Sequence, residues 1–233
     1  MTEPNLTHKY SSLGRVAVAL LMLGLFTQVS DAQEAGRWSV AGGTAALLTR
    51  TSSSSLTAPS LPDTTIELSD AANFAVNLRY AFTNQWAVTL PLGTAYRIDF
   101  DGAGSVAGIG KVASSKLITP TLMVHYFFLE PSATFRPYLG LGATYARFFD
   151  ESGTGALTGI TNPGGPPTTL RIDSAFGPVA QIGVLAQLPD KWFFDLSVAY
   201  SSLKTTAYVS TGQSIDFSSK PLIPVLTVGR LFY

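Results

Sequence analysis

Hydrophobic and polar positions alternate along most of this chain. From Phe74 to Phe82, Phe74, Val76, Leu78, Tyr80 and Phe82 share one parity, and Ala75, Asn77, Arg79 and Ala81 the other. A period of two belongs to a β-strand whose two faces meet different surroundings. Trp86, Val88, Leu90, Leu92, Thr94 and Tyr96 repeat it against Ala87, Thr89, Pro91, Gly93 and Ala95. Trp192, Phe194, Leu196, Val198 and Tyr200 do so again, against Phe193, Asp195, Ser197 and Ala199. The pattern predicts eight strands, near residues 37–49, 71–82, 86–97, 117–129, 136–149, 174–188, 192–203 and 222–233.

The connections between them alternate in length. Segments 50–70, 98–116, 150–173 and 204–221 are long and rich in Ser, Thr, Gly and Asp; the others are tight, such as Thr83-Asn84-Gln85 and Pro189-Asp190-Lys191. A soluble sandwich has no reason to alternate so regularly. A bacterial outer-membrane barrel does, because its periplasmic turns are short and its outer loops long. Twelve residues at ~3.3 Å, tilted ~40°, rise about 30 Å, enough for an apolar band of ~25 Å. The predicted fold class is all-β: an eight-stranded antiparallel up-and-down transmembrane barrel over residues 33–233, with those four segments as outer loops. An even strand count puts both termini in the periplasm.

Strand phase separates two faces. Tyr80, Phe82, Trp86, Tyr126, Phe128, Trp192 and Phe194 face lipid near the periplasmic end, where aromatic rings prefer to sit. Phe74, Tyr96, Tyr145 and Tyr200 are expected to form the outer girdle. The chain closes on an aromatic residue, Tyr233, as outer-membrane barrels commonly do.

The first residues read differently. His8, Lys9 and Arg15 precede an unbroken apolar run, Val16 to Phe26, followed by Ser30-Asp31-Ala32. A basic start, a short apolar middle and a small-x-small end describe a secretory signal peptide spanning 1–32. The run is too short for a transmembrane helix, which needs about 20 residues. The chain is therefore expected to be exported to the outer membrane.

Composition agrees. Of 233 residues only 13% are charged, with 15 Lys+Arg against 15 Asp+Glu, where an ordinary soluble domain has about 25%. A neutral balance argues against nucleic acid, which calls for a basic face. With no Cys, disulfides, thiolate metal sites and a Cys nucleophile are excluded.

The inward parity collects Ala41, Gly43, Ala75, Asn77, Ala87, Thr89, Met123, Gly140, Gly142, Thr144, Gly183, Leu185, Ser197, Ala199, Leu226 and Val228. A barrel of eight strands is just wide enough to be filled by side chains or to hold one small ligand. A lining this small and uncharged predicts a narrow apolar pocket, simple close packing being the plainer alternative. The inward charges Arg79, His125, Asp195 and Arg230 all fall near the periplasmic strand ends, which suggests a polar floor in which Asp195 neutralises an arginine, since buried charges persist only when paired. Cargo stopped by such a floor would leave sideways. Pro91 and Pro120 on neighbouring strands, and Pro178 on another, mark places where a strand ladder lacks a donor; bulges without a transport role are the alternative.

One stretch carries a family resemblance. Phe135-Arg136-Pro137-Tyr138-Leu139-Gly140-Leu141-Gly142-Ala143-Thr144-Tyr145, then Phe148-Phe149-Asp150-Glu151, resembles the signature of the outer-membrane protein W (OmpW) family, and Pro120-Thr121-Leu122 is similar to the strand before it. The final strand, Leu222 to Tyr233, departs from the family in lacking its Trp and terminal Phe, and the long loops depart too. The resemblance implies an eight-stranded barrel with an apolar interior that takes small hydrophobic molecules across the outer membrane. It also suggests an aromatic constriction near the outer mouth at Phe176, for which a bulge at Gly177-Pro178 is needed to turn that side chain inward.

Enzyme chemistry finds little support. His125 is the one histidine left after removal of 1–32, and Phe127 stands where a hydrolase would need Ser two residues on. Gly104 to Lys111 is one residue too long for a phosphate loop and ends on Val112 rather than Ser/Thr. One His, no Cys and no acidic cluster leave no metal site. The expectation is a non-enzymatic barrel with no cofactor and no catalytic residue, monomeric, whose partners are membrane lipid and a small hydrophobic ligand. The rival is a structural or adhesive barrel acting through its loops.

Overall fold

The computed structural model describes residues 35–232; the segment read as a signal peptide and the terminal Tyr233 lie outside the described residues. The strands are β1 (Arg37–Leu47), β2 (Thr51–Ser53), β3 (Thr64–Leu68), β4 (Ala71–Ala81), β5 (Trp86–Gly93), β6 (Tyr96–Gly104), β7 (Lys111–Ile118), β8 (Thr121–Phe127) and β9 (Phe135–Gly153). A short helix, α1 (Gly155–Thr161), precedes β10 (Leu170–Ile172), β11 (Ala175–Gln187), β12 (Trp192–Ser201), β13 (Leu203–Val209), β14 (Ser214–Ser219) and β15 (Leu222–Phe232).

Eight of these close a ring in the order β1-β4-β5-β8-β9-β11-β12-β15, all antiparallel, with β15 returning to β1 from Trp38 opposite Phe232 to Ala45 opposite Val225. Closure gives each strand of the ring a neighbour on both sides, as lipid demands, since an unpaired backbone group there costs several kcal/mol. At the end carrying the termini the turns are tight. Thr83 Oγ1 accepts from the amides of Gln85 and Trp86 at 3.2 and 2.9 Å, and Asp190 and Lys191 turn the chain with φ of 58° and 66°.

Side-chain polarity inverts part-way along the cylinder. In the half near the turns the outward side chains are large and apolar (Trp38, Trp86, Leu141, Ile182, Leu196, Leu226), while the inner face mixes Ala, Gly, Ser and Thr with buried Arg79, His125, Tyr138 and Phe193. Beyond breaks at residues 94–95, 119–120, 173–174, 202 and 220–221, charged residues such as Arg97, Asp99, Lys116, Lys204 and Asp216 face out. Ile98, Phe100, Leu117, Leu203, Ile215 and Phe217 pack inside. The outer surface of the first half is matched to acyl chains and that of the second to water.

The four segments expected as open loops are therefore largely ordered extensions of the barrel: β2 and β3, β6 and β7, the end of β9 with α1 and β10, and β13 and β14. They form two sheets, β9-β7-β6-β3 and β10-β13-β14-β2. Ser53 Oγ bridges them by accepting from the Ile66 amide at 3.1 Å. Their Ser/Thr-rich outward face hides an inward apolar alternation, as in Leu203, Ala207 and Val209 on β13 and Ile215 and Phe217 on β14.

The break at Thr94-Ala95 also changes phase: odd residues face in along β5, even ones along β6. Asn73 Nδ2 holds the joint by donating to the carbonyls of Thr94 and Ala95 at 3.0 and 2.7 Å. Tyr96, expected in the outer girdle, is consequently half-buried and lines the interior.

Candidate functional site

The lumen divides into a packed base and an open upper chamber. Across the base a hydrogen-bonded circuit runs through Arg79, Thr89, His125, Gln181, Ser197, Asp195 and Tyr138. Arg79 and Asp195, each 2% exposed, form an ion pair of 2.6 Å. Asp195 also accepts from Tyr138 Oη at 2.7 Å. Arg79 Nε donates to Thr89 Oγ1 at 3.1 Å, which lies 3.0 Å from His125 Nδ1. His125 Nε2 is 2.9 Å from Gln181 Oε1, and Gln181 Nε2 donates to Ser197 Oγ at 2.8 Å. With the His125 proton on Nε2, every donor from Arg79 to Ser197 points the same way round, so a neutral imidazole satisfies the whole chain. Below it Arg136 lies over the Phe127 ring at 4.7 Å and donates to the carbonyls of Asn84 and Leu129 at 2.6 and 3.1 Å. Ala81, Ala87, Phe127, Tyr138, Leu185, Phe193 and Leu231 pack around these groups.

Glycine makes this packing possible. A Cβ on Gly140 would run into the His125 imidazole, and one on Gly183 into the Tyr138 ring. These positions accommodate floor side chains rather than cargo. Of the residues expected to line a pocket, Ala87, Thr89, Gly140, Gly142, Gly183, Leu185 and Ser197 lie outside the cavity lining, and Ala41 packs in the base.

Above the floor is a cavity of about 320 Å³. Ala75, Asn77, Met123, Thr144 and Ala199 line it, together with Ala45, Leu47, Val179, Gln181, Ile223 and Val225. Phe148, Phe217, Ile98 and Leu117 form its roof at the edge of the second apolar core. Its size is at the lower end of the range for small-molecule sites, ~300–1,000 Å³.

The cavity also reaches the wall. Pairing between β5 and β8 stops at Thr89 opposite Met123 and resumes between β6 and β7 at Tyr96 opposite Leu117. Residues 90–95 and 118–122 have no ladder partners across this seam, though β5 stays paired with β4 through Gly93 and β8 with β9 through Thr121. Pro91 and Pro120 stand on the two sides, and with Leu92, Thr94 and Thr119 they line the cavity.

Three expectations are corrected here. Arg230 is not in the floor: it is exposed on the outer surface, its guanidinium 6.0 Å from the Trp192 ring, and Leu226 and Val228 face out with it. In β15 both parities are apolar, so phase there was ambiguous; Thr227, Gly229 and Leu231 point inward, with Phe193 filling the space over Gly229. Phe176 does not constrict the lumen. It is 73% exposed, because β11 runs unbroken through Gly177-Pro178 and the irregularity falls earlier, at Asp173-Ser174. Pro178 opposes Ala143 within an intact ladder and opens nothing on that side.

Arg136, Tyr138 and Gln181 were absent from the expected floor. Their signal was available: Arg136 and Tyr138 share the parity of Gly140 and Gly142, and Gln181 that of Gly183.

A closed eight-stranded ring with an apolar exterior, belted by Trp38, Tyr80, Trp86, Tyr126 and Trp192 near its turns, is an outer-membrane β-barrel. The model of the OmpW family matches residues 34–232, and the chain belongs to that family. It is 34% identical to outer membrane protein W of Vibrio cholerae over 67% of this chain and 72% of that protein. It is also 25% identical to the dibenzothiophene metabolism operon protein DoxH of a Pseudomonas strain, over 74% and 77% of the two chains. The fold is that of OprG from Pseudomonas aeruginosa, with a TM-score of 0.77, 22% identity, and coverage of 88% of this chain and 99% of that one. AlkL, determined in lipid bilayers, gives a TM-score of 0.62 at 18% identity, covering 89% and 95% of the two chains.

Proposed function

We propose that this barrel passes small hydrophobic molecules into the outer membrane, with its termini and polar floor towards the periplasm. Cargo enters from the end roofed by Phe148 and Phe217, rests in the apolar chamber, and leaves sideways between residues 90–95 and 118–122. The observation that carries this reading is the combination of a chamber lined by both sides of an unpaired seam with a base closed by a buried ion pair. Axial passage would break the Arg79–Asp195 pair, whereas sideways exit requires no ladder hydrogen bond to break. The name of the relative in a dibenzothiophene metabolism operon is in keeping with an apolar aromatic cargo. We further propose that the protein is not an enzyme: both His125 nitrogens are engaged, by Thr89 and Gln181, which leaves no base for a nucleophile.

Uptake of an apolar and a polar solute into vesicles with and without the protein tests this. Selective apolar entry is expected, and it should slow when Pro91→Ala returns an N–H donor to the seam; Pro120 faces β9, where its carbonyl accepts from the Tyr145 amide at 3.0 Å. Unchanged entry in that variant removes the sideways route. Equal entry with and without protein removes passage altogether and leaves the structural or adhesive role.

A further inference from the structure

Arg97 on β6 and Lys116 on β7 are directly opposite in register and both face outward. Cross-strand like charges at this separation, about 5 Å between Cβ atoms, repel. Arg147 joins them from β9, on the same outer surface and opposite Ile118 in the neighbouring register. Among the described residues Asp150 is the acidic group these three cations engage, at 2.8 Å from Lys116. Asp99, next along β6 on the same face, is 3.4 Å from Lys111 instead. Arg97 and Arg147 have no acidic partner among the described residues. Three cations on adjacent strands thus face outward with Asp150 as their one ion-pair partner among the described residues.

Their height on the barrel says what they meet. Arg147 is two residues beyond Tyr145, an outward ring 44% exposed in the upper girdle, and Leu122 and Phe176 are exposed beside it. The cluster therefore stands where acyl chains give way to headgroups. Directly beneath it, β6 begins and β7 ends at the unpaired seam. We infer that Arg97, Lys116 and Arg147 bind the phosphate of a membrane lipid whose acyl chains hang across the opening between residues 90–95 and 118–122. Guanidinium forks suit phosphate oxygens, and the lipid supplies the countercharge that the protein omits. The site depends on the wall and its charges, not on what the lumen carries, so it stands or falls separately from passage of apolar molecules.

The protein is placed in phosphatidylcholine bilayers containing a minor share of phosphatidic acid, and lipid retained on release is counted by native mass spectrometry. The folded protein is expected to retain phosphatidic acid selectively. Arg97→Gln/Lys116→Gln/Arg147→Gln should lower retention by about tenfold or more, while Arg50→Gln/Lys204→Gln/Lys220→Gln, which removes cations elsewhere at that end, should not. Arg97→Lys/Arg147→Lys, which keeps the charge, should retain most of the lipid and covers the case in which the glutamine variant fails to fold. No preference for phosphatidic acid over phosphatidylcholine overturns the inference, as does equal loss in the control variant. Stripping of the lipid by inorganic phosphate at matched concentration also overturns it, by assigning the site to a free anion.

Discussion

Asp195→Asn is the sharpest single perturbation of the floor. The substitution keeps the shape of the side chain but removes the charge that faces Arg79 at 2.6 Å and accepts from Tyr138 at 2.7 Å. Arg79 stays 2% exposed on a closed strand ring and has no route to water without opening the base. Removing one partner of a buried pair costs about 3–5 kcal/mol, because the remaining charge is uncompensated. The amide keeps one acceptor oxygen for Arg79, and its NH2 can donate to the Tyr138 hydroxyl oxygen in place of the bond now accepted from it, so the expected loss is at the lower end, about 3 kcal/mol. Urea unfolding in bilayers, followed by heat-modifiable gel mobility, reads this directly. The same variant should raise ion conductance across planar bilayers, since a loosened floor admits water. Arg79→Met combined with Asp195→Asn removes both charges and should be less destabilised than the sum of the single changes by ~1 kcal/mol or more. A loss within ~0.5 kcal/mol for Asp195→Asn, with conductance unchanged, would refute the view that this pair seals the base.

Other consequences are open to the same measurements. Gly140→Ala and Gly183→Ala force a methyl group against His125 and Tyr138 and should each cost about 1–3 kcal/mol in urea unfolding, whereas Gly155→Ala, with open space around it, should not. Asn73→Ala leaves the Thr94 and Ala95 carbonyls without their donor; faster amide exchange confined to residues near 94–98 is expected, with a stability change of about 1–2 kcal/mol. Phe217→Ala deletes a ring packed 5.9 Å from Phe100 and 6.3 Å from Phe148; it should cost about 3–5 kcal/mol and speed entry of an apolar solute too bulky for the native roof.

The closed ring was readable because lipid on one side and a narrow lumen on the other force strict alternation on strands such as β4 and β12. Arg79, His125 and Asp195 could be placed in the floor for the same reason: a charge on the inward parity near a tight turn has few other places to go. Alternation fails where the two faces cease to differ. In β15 Val225, Leu226, Val228 and Leu231 carry no phase, and Arg230 was consequently assigned to the wrong side. The upper half misled in another way, since Leu203, Ala207 and Val209 alternate with Lys204, Thr206 and Tyr208 on a strand bathed in water, where Ser and Thr resemble loop composition. Tyr96 lies inward because a two-residue joint at Thr94-Ala95 shifts the phase, a change that depends on Asn73 and cannot be seen locally. The unpaired seam needed the register on both its sides, although Pro91 and Pro120 had marked its place.

The seam between β1 and β15 joins the two ends of the folded chain, Trp38 beside Phe232. A polypeptide halted before Leu222 would therefore present β1 and β12 as two raw edges, each with a row of bare amides in hydrocarbon. No partial cylinder is a resting state, and stability arrives only once β15 is in place. Insertion must hold those edges apart from other chains until then, which makes loss of this one strand far more damaging than its length suggests.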